Sequence, residues 1–282
     1  MKSYLEKVIT ELPGYLSQFI SCLLHPKRFV TEKLAATDAS PAFEKSVAFI
    51  VTSFLISLFL SYALPEVTSP LKVLPANENE FIRTGSEALL MLFYLVGACA
   101  IAMGFLKLFG KLADPHIFFT LVFYFCGCSL VLLVFANAIS NIAMADPFFA
   151  KAWIESEKFT KAFMPQIHSQ FCSIDLKTGN FSAVQDVVEK SPEFKSQQEI
   201  YLAAMQRTLP KIAFVMQAFV ALVALLWLLK AWFSYTTAAG VGTGKSIAII
   251  VLTAVAVFVV SLLVSMINAG ILVSSIMRNC PT

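Results

Sequence analysis

Residues 247–273 read IAIIVLTAVAVFVVSLLVSMINAGILV, a run without one charged side chain. About twenty mostly apolar residues in a helix cross the hydrocarbon core of a bilayer, and this run exceeds that. A helix on the surface of a soluble protein alternates an apolar and a polar face, whereas this one is apolar on every side. Backbone N–H and C=O groups find no water inside hydrocarbon, so a spanning run this long has to be a helix that satisfies itself. Four further stretches meet the same test: Ser46–Ala63, Ala88–Phe109, Ile117–Met144 and Ile212–Tyr235. The third is longer than a bilayer requires, which predicts tilt or extension past the membrane surface. The fold expected is all-α, a polytopic membrane protein with five transmembrane helices. Composition agrees, since 14% of residues are charged where a soluble domain carries about a quarter.

The segments between the spans complete the organisation. Residues 1–45 form a cytoplasmic amphipathic or interfacial segment, 46–144 hold spans one to three, and 145–211 make a helical insertion on the outer side. Spans four and five fall in 212–273, followed by a short outer tail, 274–282. Near the N-terminus Leu5, Val8, Ile9, Leu12, Leu16, Phe19, Ile20 and Leu23 recur at three- and four-residue steps, which predicts an amphipathic helix bent at Pro13. Glu6, Glu11 and Pro13-Gly14 stand where a cleavable signal would need an unbroken apolar run. Ser40-Pro41 reads as the start of the first spanning helix, and Ser191-Pro192-Glu193 as a helix start within the insertion. Asn180-Phe181-Ser182 has the form of a glycosylation acceptor, a tripeptide common by chance.

Orientation follows from Lys and Arg beside the spans. With the N-terminus inside, Lys2, Lys7, Lys27, Arg28, Lys33, Lys45, Lys107, Lys111, Lys230 and Lys245 collect on the cytoplasmic side, against Lys72, Arg83 and Arg278 opposite. That predicts a cytoplasmic N-terminus and an outer C-terminus. Trp227, Trp232 and Tyr235 then lie near the cytoplasmic end of span four, where amphipathic rings belong.

Several patterns invite a chemical function. Ala239-Gly240-Val241-Gly242-Thr243-Gly244-Lys245-Ser246 is one glycine short of a phosphate-binding P-loop. That loop works by leaving a β-strand and turning its N–H groups toward phosphate, whereas here both flanks are apolar spans, so a tight hairpin is expected and no nucleotide. His25, His116 and His168 are scattered without ligand spacing, and Cys126 and Cys128 point to different faces of one helix, so no metal is expected. Cys99, Cys126 and Cys128 read as small apolar fillers. A net charge of +3 spread without a basic tract excludes a nucleic-acid partner. No nucleophile–base constellation stands out, so no catalytic residue, no cofactor and no enzyme are expected.

No Asp, Glu, Arg or His lies in the middle of a span, against the pattern of ion-coupled carriers. Asn137, Ser140, Asn141, Gln217, Ser261, Ser265 and Asn268 are expected to hydrogen-bond between helices. Ala98/Ala102 and Ala100/Gly104 suggest close packing of the second span. Of the six cysteines, Cys172 and Cys280 fall on the outer side, where a disulfide between them can form.

With the spans laid out, the chain resembles the Yip-one family, the Ypt/Rab-interacting membrane proteins, in its bacterial form. The resemblance rests on Leu23-Leu24-His25-Pro26-Lys27-Arg28-Phe29 before the first span and on Gly110-Lys111 with Phe118, Phe119 and Tyr124. It rests also on Trp227 followed by Gly240, Gly242, Gly244, Lys245 and Ser246 before the last span. Cys126-Gly127-Cys128 stands where the family often carries a proline. The resemblance implies a non-enzymatic, membrane-organising or scaffold protein of the inner membrane, with a membrane-protein partner or a second copy. Pro26, Lys27, Arg28 and Phe29 are the expected partner or lipid contacts, the basic pair being suited to anionic lipid. A pore or solute-carrier subunit without ion coupling is the alternative.

Overall fold

The computed structural model describes residues 14–35, 39–71, 80–109, 114–173 and 191–278. Its helices are α1 (Gly14–Leu24), α2 (Pro26–Leu34), α3 (Ala39–Ala63), α4 (Glu80–Leu108) and α5 (Pro115–Ile139). A 3-10 turn, Ser140–Ala145, leads into α6 (Pro147–Ser173), and α7 (Pro192–Met205), α8 (Thr208–Ala238) and α9 (Thr243–Arg278) follow. There is no strand among the described residues. Five segments among them are long and apolar enough to cross a membrane: 42–63, 89–108, 115–145, 208–238 and 243–266. The expected all-α, five-span fold is therefore observed. The long third span continues past the end of α5 as the 3-10 turn.

Two compact units make up the chain. One takes the chain up to Leu64, Phe81–Ala136 and Ala218–Val259. Its centre is α5, because 67% of the most apolar window of that span is buried, against 28% or less in the other four. Tyr124, Leu121, Leu130 and Cys128 of α5 are fully enclosed, with Leu106 of α4 and Ile249 of α9. Gly127 lets α3 come close: a Cβ there would stand 2.8 Å from Phe49 Cε1 and from Ser53 Oγ. The thiols fill space as expected, Cys126 and Cys128 being buried, with Cys126 Sγ 3.8 Å from Cys99 Sγ. Of the two small-residue pairs on α4, Ala102 is buried whereas Gly104 has nothing near the position of a Cβ. Ala100 and Gly104 lie on an exposed face of α4, and no described residue of the chain packs at Gly104.

The second unit takes Pro65–Glu80, Asn137–Gln217 and Val260 onward. Here polar groups expected to link helices instead clamp an extended strap, residues 65–71. Ser140 Oγ accepts from the Val67 N–H at 2.8 Å, and Asn141 Nδ2 donates to the Pro65 carbonyl at 3.0 Å. Gln217 Nε2 reaches Glu66 at 3.0 Å, and Trp153 Nε1 donates to the Thr68 carbonyl at 2.9 Å. A strap without ladder partners needs such bonds for its backbone, which explains why side chains near the ends of spans supply them. Asp146 starts α6: its Oδ1 accepts from the N–H groups of Phe148 and Phe149, both at 3.0 Å. Arg207 Nε meets both carboxylate oxygens, at 3.0 and 2.9 Å. Charge-assisted bonding to Arg207 is the main reason the Asp146 carboxyl titrates below its ordinary value. Ser191 caps α7, accepting from the Phe194 N–H at 3.1 Å, as its sequence signature predicts. Phe159 and Phe163 of α6 stack at 5.3 Å and meet Phe194 of α7.

Spans one, two, four and five present large apolar side chains outward, among them Phe59 at 73% and Phe93 at 66% exposure. A soluble monomer rarely exposes contiguous apolar patches beyond a few hundred Å², so these faces fit hydrocarbon rather than water. The tripeptide Asn180-Phe181-Ser182 and Cys280 lie outside the described residues, as do Lys2, Lys7, Pro13, Lys72, Lys111, the side chains of Ser40, Pro41, Arg83 and Asn268, and the N-terminal half of the predicted amphipathic helix.

Candidate functional site

α1 has two faces. Tyr15, Phe19, Cys22 and Leu23 turn inward, where Tyr15 stacks on Phe49 at 4.7 Å and its hydroxyl lies 3.0 Å from Ser53 Oγ. Leu16, Ile20 and Leu24, four residues apart, form an apolar stripe about half exposed. His25 breaks the helix with φ −127° and ψ 56°, and Pro26 at the first position of α2 is pre-set for the new helix. No side chain among the described residues caps that start. The break is pinned to α8 by Trp227 Nε1, which donates to the Leu23 carbonyl at 2.9 Å.

Around this break a crevice of about 520 Å³ opens, lined by Leu24, His25, Pro26, Lys27, Arg28 and Thr31, with Lys230 contributed by α8. Four of the seven lining residues carry basic groups and none is acidic. Arg28 Nε pairs with Glu32 at 2.7 Å, an exposed contact one helical turn on that contributes little. Thr31 Oγ1 donates to the Lys27 carbonyl at 2.9 Å. Behind the crevice Phe29 is buried, edge-on to Tyr124 at 5.0 Å, and Lys33 lies over both rings at 5.2 and 4.8 Å. Burial, with a smaller contribution from Lys45, lowers the Lys33 pKa.

The four expected contact residues therefore divide. Lys27 and Arg28 are exposed on the crevice, Pro26 lines it with its ring buried, and Phe29 packs inside. His25 and Lys230 also line the crevice and were not among the contact residues expected from the sequence. The His-Pro dipeptide between two apolar-periodic stretches was the available signal for His25. Lys230 is two hundred positions away, and no local pattern ties it to α2.

The P-loop look-alike is a helical hairpin. Gly240, at φ +70°, ends α8, with the Val241 N–H donating to the Thr236 carbonyl at 2.8 Å and the Gly240 N–H to Thr237 at 3.1 Å. Ser246 is buried, accepting from Trp232 Nε1 at 3.0 Å and lying 2.9 Å from Thr236 Oγ1, while Lys245 points outward. No group of three or more His, Cys, Asp or Glu among the described residues is placed to hold a metal ion.

No family model, no curated protein and no solved structure matches this chain.

Proposed function

We propose that this integral membrane protein is a membrane-organising or scaffold subunit of the Yip-one type, non-enzymatic, in a bacterial inner membrane with its N-terminus cytoplasmic. The observation that carries the proposal is the basic crevice at the broken helix start beside Trp227, a surface suited to contact with a partner or lipid. Five apolar spans with no Asp, Glu, Arg or His in their middles support the same reading. The partner is a membrane protein or a second copy of the chain. Affinity purification from native membrane tests this, and a stoichiometric co-purifying protein, or a stable homo-oligomer, is the expected result. A pore or uncoupled solute carrier is the second reading, favoured by neutral polar side chains in the spans such as Ser57 and Ser129, whose hydroxyls are buried without a partner among the described residues. Solute flux through liposomes holding the purified chain alone, with no partner captured, would replace the first reading by the second.

A further inference from the structure

We propose that the crevice between the α1–α2 break and α8 is a binding site for the phosphate of an anionic phospholipid headgroup. The inference deepens the scaffold reading and rests on its cytoplasmic placement of this surface. The site joins two independent features. The first is charge: Lys27 and Arg28 of α2 and Lys230 of α8 converge on one cavity whose lining residues include no acid, and although Glu32 pairs with Arg28 from one turn on, Lys27 and Lys230 come from different elements. The second is an apolar approach. The exposed stripe Leu16, Ile20 and Leu24 on α1 runs into the crevice, since Leu24 is at once the end of the stripe and part of the wall.

A stripe of that kind, on a helix whose opposite face is packed in the protein core, fits acyl chains rather than water. A ligand with an apolar tail along Leu16–Leu24 and an anionic head at Lys27 and Lys230 is an acidic phospholipid. Trp227, buried against Phe125 and donating to the Leu23 carbonyl, holds the break that forms the cavity in place. A zwitterionic lipid fits less well, because its ammonium would meet the same basic wall.

Lys near a lipid surface contributes about five-fold each to binding, so losing two lowers affinity about thirty-fold. The test uses the purified full-length chain in detergent, titrated with phosphatidylglycerol or phosphatidylcholine and read by native mass spectrometry. Bound phosphatidylglycerol in excess of phosphatidylcholine is expected, falling about thirty-fold in Lys27→Gln/Lys230→Gln. Lys27→Arg/Lys230→Arg should retain it, and Lys195→Gln, on α7, should leave it unchanged. Equal retention of both lipids, or the same loss in Lys195→Gln, overturns the proposal. Displacement of the lipid by millimolar inorganic phosphate would also overturn it, since the site would then take the anion alone. Size-exclusion profiles and helical content show whether the paired glutamines still fold, and the arginine pair carries the test if they do not. No partner is needed for the measurement, so capture of a partner without lipid selectivity rejects this site and leaves the scaffold reading standing.

Discussion

At Gly127 a single hydrogen side chain decides how closely α3 and α5 approach. The neighbours a Cβ would meet at 2.8 Å are the Phe49 ring and the Ser53 hydroxyl, both held by Tyr15, so neither side chain can swing away freely. Gly127→Ala should therefore destabilise by about 1–3 kcal/mol, the usual cost of overpacking a filled core. Thermal unfolding in detergent reads this, with Gly104→Ala as the neutral comparison because its Cβ would meet nothing. Asp146 gives a second prediction at this scale. Its folded pKa is lowered, chiefly by Arg207 and then by the Phe149 N–H, so the contact is fully stabilising above the unfolded-state pKa and is lost as pH falls through the folded one. The difference in melting temperature between the wild type and Asp146→Asn should be largest near neutrality and shrink below about pH 4. A difference that does not change with pH would mean Asp146 acts as a helix cap without the charge. The sequence marked Cys99, Cys126 and Cys128 as small apolar filler, and Cys126 and Cys128 are buried. It could not show the role of Gly127, because that depends on which neighbouring helix faces it.

Among elements, the α8–α9 hairpin shows what composition reads well and what it misses. The first four spans came out within about four residues at each end because hydropathy is a sum over neighbours in sequence, and the fifth overlaps its expected range from 247 to 266. The strap 65–71 was invisible for the opposite reason: it has no period, and its partners Ser140, Asn141 and Trp153 lie more than seventy positions downstream. In the hairpin, glycines that imitate a nucleotide loop have separate structural duties. Gly240 alone among the described glycines has a positive φ, where an L side chain costs about 1–2 kcal/mol. Gly240→Ala should lower thermal stability accordingly, and Gly242→Ala should not, since a Cβ there meets open space. Ser246→Ala should also destabilise, by leaving Trp232 Nε1 without its acceptor. Lys245→Arg should be silent in the same assay because the side chain is exposed.

For the molecule as a whole, the parity of the spans sorts the cysteines. Cys22 precedes the first span, Cys99, Cys126 and Cys128 lie within spans two and three, and these four are free thiols. Cys172 follows the third span near the end of α6, and Cys280 follows the fifth. Two crossings separate them, so they share a side of the membrane whichever way the chain is inserted, and it is the side opposite Cys22. With the other four thiols free, each is the remaining intramolecular candidate for the other. A Cys172–Cys280 bridge would close a loop of more than a hundred residues, a constraint worth about 2–4 kcal/mol. It also reports orientation, because such a bridge persists in an oxidising compartment and not in a reducing cytosol. The N-terminus-in topology thus predicts a linked Cys172–Cys280 peptide in non-reducing mass mapping of native membranes. It further predicts that an impermeant thiol reagent added to intact cells labels Ser196→Cys on α7 and spares Thr243→Cys at the α8–α9 turn. Alkylation of both Cys172 and Cys280 without reductant rejects the bridge. Labelling at Thr243→Cys with Ser196→Cys protected rejects the orientation, and with it the cytoplasmic placement of the basic crevice.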